Sequence, residues 1–153
     1  MYTLVVIDMQ PSFEASQEKA VLRNCAARIK QAQKDNAAIL LVEYEEYGKT
    51  DYRLRNLLKT YDKTKTVIKC DNDGSVEIKR AIIRAKFPKD LLRVCGVNTD
   101  YCVYESVKGL TKQMPKATIE VLTKSCNSNW NHEFGVGKLK DLRKQNKAKL
   151  KIK

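Results

Sequence analysis

The chain has 153 residues but only one histidine, one tryptophan, three prolines and six glycines. So few glycines and prolines exclude a collagen-like or low-complexity chain. The lone histidine, His132, and the lack of any Cys-x-x-Cys pair would leave a zinc site to scattered thiolates, so no metal and no cofactor is expected. No apolar run approaches the ~18–20 residues that cross a bilayer. The start, MYTLVVIDMQ, lacks a basic leader and a small-residue cleavage site, which argues against export and membranes. The five cysteines (Cys25, Cys70, Cys95, Cys102 and Cys126) are odd in number, which speaks against a disulfide framework and for a reducing cytoplasm.

What the chain has in excess is positive charge. Thirty Lys and Arg against eighteen Asp and Glu give a formal +12. Between Lys138 and Lys153 seven Lys and one Arg face a single Asp. Such a field draws nucleic acid, anionic membranes or anionic substrates without choosing among them. A solvated tail and helix face read the same way. No nucleic-acid-binding signature is present, so a nucleic-acid partner rests here on charge alone.

Short apolar runs alternate with helical periodicity. Leu4–Ile7, Ala37–Val42, Thr66–Ile68, Leu91–Cys95 and Thr118–Leu122 read as buried strands, and Ala148–Ile152 as a last strand or a basic tail. Helical spacing runs through Gln17–Asp35, Asp51–Thr60, the stretch after DNDGS (Asp71–Ser75), Thr99 or Asp100 to Gln113, and His132–Lys144. Ser125–Asn131 reads as a polar loop. Right-handed crossovers then give one α/β domain over residues 1–153, three-layered α/β/α and Rossmann-like, with a mostly parallel sheet of about six strands. Ligands of such sheets sit beyond the carboxyl ends of the strands.

Asp8, Lys69 and Cys102 each fall at such a strand end, on three different crossovers. A thiol near a helix start beside an ammonium favours its thiolate, and a carboxylate can accept the thiol proton. Together they form the minimum set for covalent acyl transfer. Each residue also has a plainer role: Cys102 as a small buried hydrophobe, Asp8 as a cap for loop amides, Lys69 as a solvated strand end. Phe13, Tyr44, Tyr47, Tyr101 and Trp130 could wall a small pocket or simply pack. Glu43, Glu45 and Glu46 read as a solvated loop or as acids facing a cationic substrate, and His132 as a residue packed on its helix.

VVIDMQPSF (Val5–Phe13), VIKC (Val67–Cys70) and CGVNTDYCV (Cys95–Val103) resemble, in order, the three motifs of the isochorismatase-like cysteine hydrolases, a family that includes nicotinamidases and ureidoacrylate and biuret amidohydrolases. Ser125 followed by His132-Glu133 echoes a further stretch of that family. The resemblance covers nearly the whole chain. It implies strand order 3-2-1-4-5-6, an Asp8–Lys69–Cys102 triad and a non-proline cis peptide between Val97 and Asn98. It further implies an oxyanion pocket made by the backbone N–H groups of Asn98 and Cys102, a small-amide substrate cleaved through a thioester, and self-association into a homo-oligomer. Three features depart from the pattern. Ser12 stands where Asn is common, CDNDGS follows the lysine, and the short EYEEYGKTDY (Glu43–Tyr52) has no histidine for the metal cluster that nicotinamidases carry there. These departures leave a catalytically weak or inactive member with a binding or regulatory role as the alternative.

Overall fold

The computed structural model describes residues 1–146 and 149–153. In chain order it runs β1 (Thr3–Ile7), α1 (Glu14–Gln17), α2 (Lys19–Lys34), β2 (Ala38–Tyr44), α3 (Tyr52–Asn56), β3 (Thr64–Lys69), α4 (Ser75–Arg84), β4 (Leu91–Val97), α5 (Tyr104–Gln113), β5 (Thr118–Asn127), α6 (His132–Gln145) and β6 (Leu150–Ile152). A wide π turn, Thr99–Val103, joins β4 to α5. The six strands form one sheet in the order β3-β2-β1-β4-β5-β6, and every pairing is parallel. The expected order is therefore found, with a sheet that is parallel throughout rather than mostly so.

Burial follows position in the sheet. All of β1 and all of β2 except Tyr44 are buried, as strands covered on both faces must be. The outermost strand β3 buries only its last residue, Lys69. The inner face of α2 is Val21, Cys25, Ile29 and Ala32, and that of α4 is centred on Ile78 and Ile82. Val76, which fits the apolar spacing of α4, lies 41% exposed at its first turn.

Several boundaries differ from the sequence reading; α3 spans Tyr52–Asn56 rather than Asp51–Thr60, and β3 spans Thr64–Lys69 rather than Thr66–Ile68. The helix expected from Gln17 to Asp35 breaks at Glu18, whose backbone is extended (φ −60°, ψ 126°). The polar stretch Ser125–Asn127 is not loop but the end of β5. The cause is an irregularity in pairing: Val94 faces Val121, yet Gly96 faces Cys126 and Val97 faces Asn127. Backbone pairing thus resumes on residues whose side chains carry no strand signal. Of the expected last strand, Ala148 lies outside the described residues, and Leu150–Ile152 pair with β5.

Gly96 is obligatory for this arrangement. Its φ of +123° belongs to the region glycine alone enters freely, and a Cβ there would stand 2.0 Å from the Ile7 carbonyl oxygen. That close approach of β4 to β1 lies where the strand order reverses: β2 and β3 build out on one side of β1, and β4 to β6 on the other. The carboxyl-end crevice at such a switch point is where the fold can host a site.

Candidate active site

Asp8, Lys69 and Cys102 come together at that crevice. Asp8 is the first residue after β1 and takes the left-handed conformation (φ +52°), its N–H held by the Val42 carbonyl at 2.9 Å. Lys69 ends β3, two strands away, and its side chain crosses over the end of β2. Its Nζ reaches 3.0 Å from Asp8 Oδ2 and lies 3.9 Å above the Tyr44 ring. Neither side chain is solvent-exposed. A Cβ on Gly74 would meet Lys69 Cδ at 2.8 Å, so this glycine leaves room for the extended lysine. Cys102 sits inside the π turn, 3% exposed.

The three groups share one electrostatic balance. Burial pushes the Asp8 carboxyl above its ordinary range, against the opposing pull of the Lys69 ammonium and the Cys102 thiol. Burial also pushes the Cys102 thiol up to about 12, aided by the Asp8 charge and opposed by Lys69. Desolvation and the neighbouring carboxylate thus act against the ammonium, in the direction of the protonated sulfur. The geometry of Asp8 is also incomplete. Despite the short distance to Lys69, neither carboxylate oxygen makes a well-aligned hydrogen bond among the described residues. A buried carboxylate in that state is costly, and it retains capacity to take a proton.

The loop after β3 folds over the cluster. The Asp71 carbonyl accepts from Lys69 Nζ at 2.9 Å, and Asn72 Oδ1 accepts from the Cys102 thiol at 3.5 Å. Ser106 fastens this loop, accepting from the Gly74 N–H at 2.9 Å and donating to the Asn72 carbonyl at 3.3 Å. Asn72 is a site neighbour that sequence reasoning missed. Its only signal was the departure of CDNDGS from the motif it replaces.

On the other side of the sulfur, the Val97–Asn98 peptide is cis. The Asn98 carbonyl accepts from the N–H groups of Tyr101 (3.2 Å) and Val103 (3.0 Å), and its side-chain oxygen accepts from Asn129 N at 2.9 Å. The N–H of Asn98 itself has no acceptor among the described residues.

Other polar residues of the motifs turn inward to hold loops. Gln10 Nε2 donates to the carbonyls of Tyr44 (2.9 Å) and Gly48 (2.6 Å), while its Oε1 accepts from Tyr44 N at 2.8 Å. Glu43 is buried, and its Oε1 accepts from Thr50 N at 2.7 Å, so it is neither solvated nor turned to a ligand. Ser12 Oγ donates to the Tyr47 carbonyl at 3.0 Å. The buried Asp100 carboxylate accepts from Ser128 Oγ and from Asn131 N. His132 Nδ1 lies 2.8 Å from Thr99 Oγ1, whose own proton goes to the Asn127 carbonyl at 2.9 Å. Nδ1 must then carry the hydrogen and donate to Thr99, a packing role away from the thiol. Ser125 is buried and takes a 3.4 Å contact from Arg28 Nε, likewise outside the cluster.

No family model and no curated protein matches the sequence. Solved structures do match. A nicotinamidase from Staphylococcus aureus superposes with a TM-score of 0.77 at 15% identity, over 99% of this chain and 98% of that one. An isochorismatase-like hydrolase from Alkaliphilus metalliredigens gives 0.75 at 14% identity, over 99% and 93%. The MAR1 ribonuclease from Caenorhabditis elegans gives 0.78 at 14% identity, over 92% and 73%. The chain has the isochorismatase-like fold.

Within this isochorismatase-like fold the five aromatic residues divide into two groups. Phe13 stacks on Tyr47 (4.6 Å, 23°) and Tyr47 meets Tyr44 edge-on at 5.2 Å, so this group reaches Lys69 through Tyr44. Tyr101 and Trp130 form a separate tilted pair, 5.0 Å apart and facing solvent. Among the described residues no group of three or more His, Cys, Asp or Glu side chains could hold a metal ion, and no helix is long and apolar enough to cross a membrane.

Proposed function

We propose that the protein is a metal-independent cysteine hydrolase that cleaves a small amide or related C–N bond, with Cys102 as nucleophile, Asp8 as proton carrier and Lys69 as charge partner. The observation that carries this reading is the convergence of a buried carboxylate, a buried ammonium 3.0 Å from it and a buried thiol whose proton affinity both charges shift. Support also comes from the fold, which is that of proteins described as nicotinamidases and isochorismatase-like hydrolases.

The chemistry follows from the charges. At rest the sulfur is protonated. When the amide carbonyl is presented, Asp8 takes the thiol proton as the sulfur forms its bond to carbon, and Lys69 stays as the fixed positive charge. The carbonyl electron pair moves onto oxygen. The Asn98 N–H, without an acceptor among the described residues, is one donor for that oxyanion, and the Cys102 N–H is proposed as the second. A preorganised donor of this kind contributes roughly 3–4 kcal/mol to transition-state stabilisation. The tetrahedral species collapses, the C–N bond breaks, and Asp8 returns its proton to the departing nitrogen as ammonia or an amine leaves. Water, deprotonated by Asp8, then attacks the thioester. The carboxylic acid leaves and the thiol is restored.

Turnover of a small-amide panel including nicotinamide, ureides and biuret tests this. Cys102→Ala is expected to abolish hydrolysis while retaining the fold by circular dichroism, and the wild-type protein is expected to show a mass increase of the acyl group under rapid quench. Unchanged turnover in Cys102→Ala would remove the proposed nucleophile.

One observation favours a second reading, a weak or inactive protein that only binds. The thiol is 3% exposed beneath the Asn72 loop, and burial pushes it toward its protonated form. That reading expects no turnover on any member of the panel and no acyl adduct.

A further inference from the structure

The only tryptophan of the chain, Trp130, is 66% exposed, and beside it stand Tyr101 at 46% and Phe134 at 60%. Single exposed apolar residues are ordinary, but three large aromatics on one surface are not. They come from three segments: the π turn, the loop after β5 and the first turn of α6. The Lys138 ammonium joins them, lying 5.8 Å from the ring centroids of both Tyr101 and Phe134 and 4.0 Å from that of Tyr104. Lys138 makes no ion pair among the described residues; its Nζ donates to the Asp100 carbonyl at 2.8 Å.

The surface is held rigid from beneath. The buried Asp100 carboxylate accepts from Ser128 Oγ and Asn131 N, Ser128 Oγ accepts from Trp130 N at 3.1 Å, and Asn98 Oδ1 fixes Asn129 N at 2.9 Å. Asn131 caps α6, accepting from Phe134 N at 2.9 Å. None of these residues is needed to touch the sulfur, and the proposed hydrolysis makes no use of the Trp130 or Phe134 ring.

We propose that Tyr101, Trp130 and Phe134 form a stacking platform for the bases of a single-stranded nucleic acid, with Lys138 meeting its phosphates. Flat exposed rings beside a cation are the combination that binds single strands without reading sequence. Charge selects this occupant over a second copy of the chain. On α6 the cations are Lys138, Lys140, Arg143 and Lys144, against Glu133 and Asp141, and Asp141 is already paired with Lys144 at 2.6 Å. Of the other acids nearby, Glu105 is paired with Lys108 at 3.4 Å, while Glu14 and Glu18 line the neighbouring cavity with Ser128 and Asn129. A two-fold contact through this patch would set Lys138 and α6 against their own copies in a chain of net +12, whereas a polyanion is drawn by that net charge despite Glu133, which makes no ion pair among the described residues.

Because Trp130 is the sole tryptophan, its fluorescence reports occupancy directly. The full-length protein is titrated with a 12-nucleotide poly(U) RNA and with a 12-nucleotide oligo(dT) at several salt concentrations. Saturable quenching that weakens as salt rises is expected. By anisotropy of labelled strands, Tyr101→Ala and Trp130→Ala should each weaken binding about tenfold, since one stacked base is worth roughly 1–3 kcal/mol. Trp130→Phe should restore most of it, and Lys138→Gln should lower the salt slope by about one. Binding that persists unchanged in the Tyr101, Trp130 and Phe134 alanine variants would assign the effect to tail charge and overturn the platform. No quenching, together with a dimer by light scattering that Trp130→Ala dissociates, would overturn it in favour of self-association.

Discussion

Two buried polar clusters lie side by side at the carboxyl edge of the sheet, and they are built on opposite terms. Around Gln10 both ends of the side chain are engaged. It bridges Tyr44 and Gly48, while the neighbouring Glu43 accepts from Thr50 N and Asp51 N donates to the Met9 carbonyl at 2.7 Å. Around Asp8 the distances are short, yet neither carboxylate oxygen has a well-aligned partner among the described residues. The first cluster, apart from a Thr50 Oγ1 with no partner among the described residues, is what a buried polar network looks like when its work is to hold a loop. The second holds an acceptor without a well-aligned partner beside a thiol that burial pushes toward its protonated form, which suits a step that moves a proton. The difference separates residues that fix geometry from residues that can change state, although both stand in the same motif two positions apart.

The largest expected effect breaks the reactive cluster. Asp8→Asn keeps the shape, and asparagine tolerates the left-handed backbone at this position. It removes the proton acceptor, so turnover should fall by about 10²–10⁴-fold. The resting thiol should respond in the opposite sense. Burial and the Asp8 charge raise Cys102 to about 12 while Lys69 lowers it. With the carboxylate gone, the thiol should move down toward its ordinary value of about 8.5. Iodoacetamide labelling of Cys102 against pH would therefore shift to lower pH in Asp8→Asn and to higher pH in Lys69→Met. A labelling profile that Asp8→Asn leaves in place would mean that carboxylate and thiol are not coupled.

The reactive cluster was more legible from sequence than the structural one. Asp8, Lys69 and Cys102 could be placed because each follows an apolar run, and a parallel sheet gathers strand ends at one rim. The strand order likewise matches the expected one. Asn72 was not legible, since its contact with the sulfur depends on how the DNDGS loop returns across Lys69, and no periodicity encodes that. Glu43 looked solvated among its neighbouring acids, because a carboxylate buried by one backbone N–H is indistinguishable in sequence from one in water. The length of β5 was missed for a related reason: after the pairing irregularity opposite Val94 and Gly96, the strand continues on backbone bonds beneath polar side chains. How far burial raises the Cys102 thiol was not legible because desolvation is a property of packing, and the sequence shows charges without showing how much water surrounds them.

A smaller effect is expected from cutting the structural cluster. Gln10→Ala strands the Tyr44 N–H and two carbonyls, so urea unfolding should show a loss of roughly 1–3 kcal/mol. Turnover at saturating substrate should change less than tenfold if Gln10 only positions the loop. A loss as large as that of Asp8→Asn would erase the distinction between the two clusters.

The smallest effect probes the far end of the same clamp, and its sign depends on pH. Asp51 caps α3 through the Arg53 N–H at 2.9 Å and pairs with the Arg53 guanidinium at 2.7 Å, which holds its carboxyl down at about 2. A carboxyl depressed in the folded state adds stability above its unfolded value near 3.9, and that stability is lost as pH falls through the folded value. Asp51→Asn retains a capping oxygen but not the charge. It should therefore cost about 1–2 kcal/mol at neutral pH, allowing for the half-exposed arginine. The gap to wild type should close between pH ~4 and ~2 as the wild-type carboxyl takes up its proton. A gap that stays constant over that range would mean that the cap, and not the charge, supplies what Asp51 contributes.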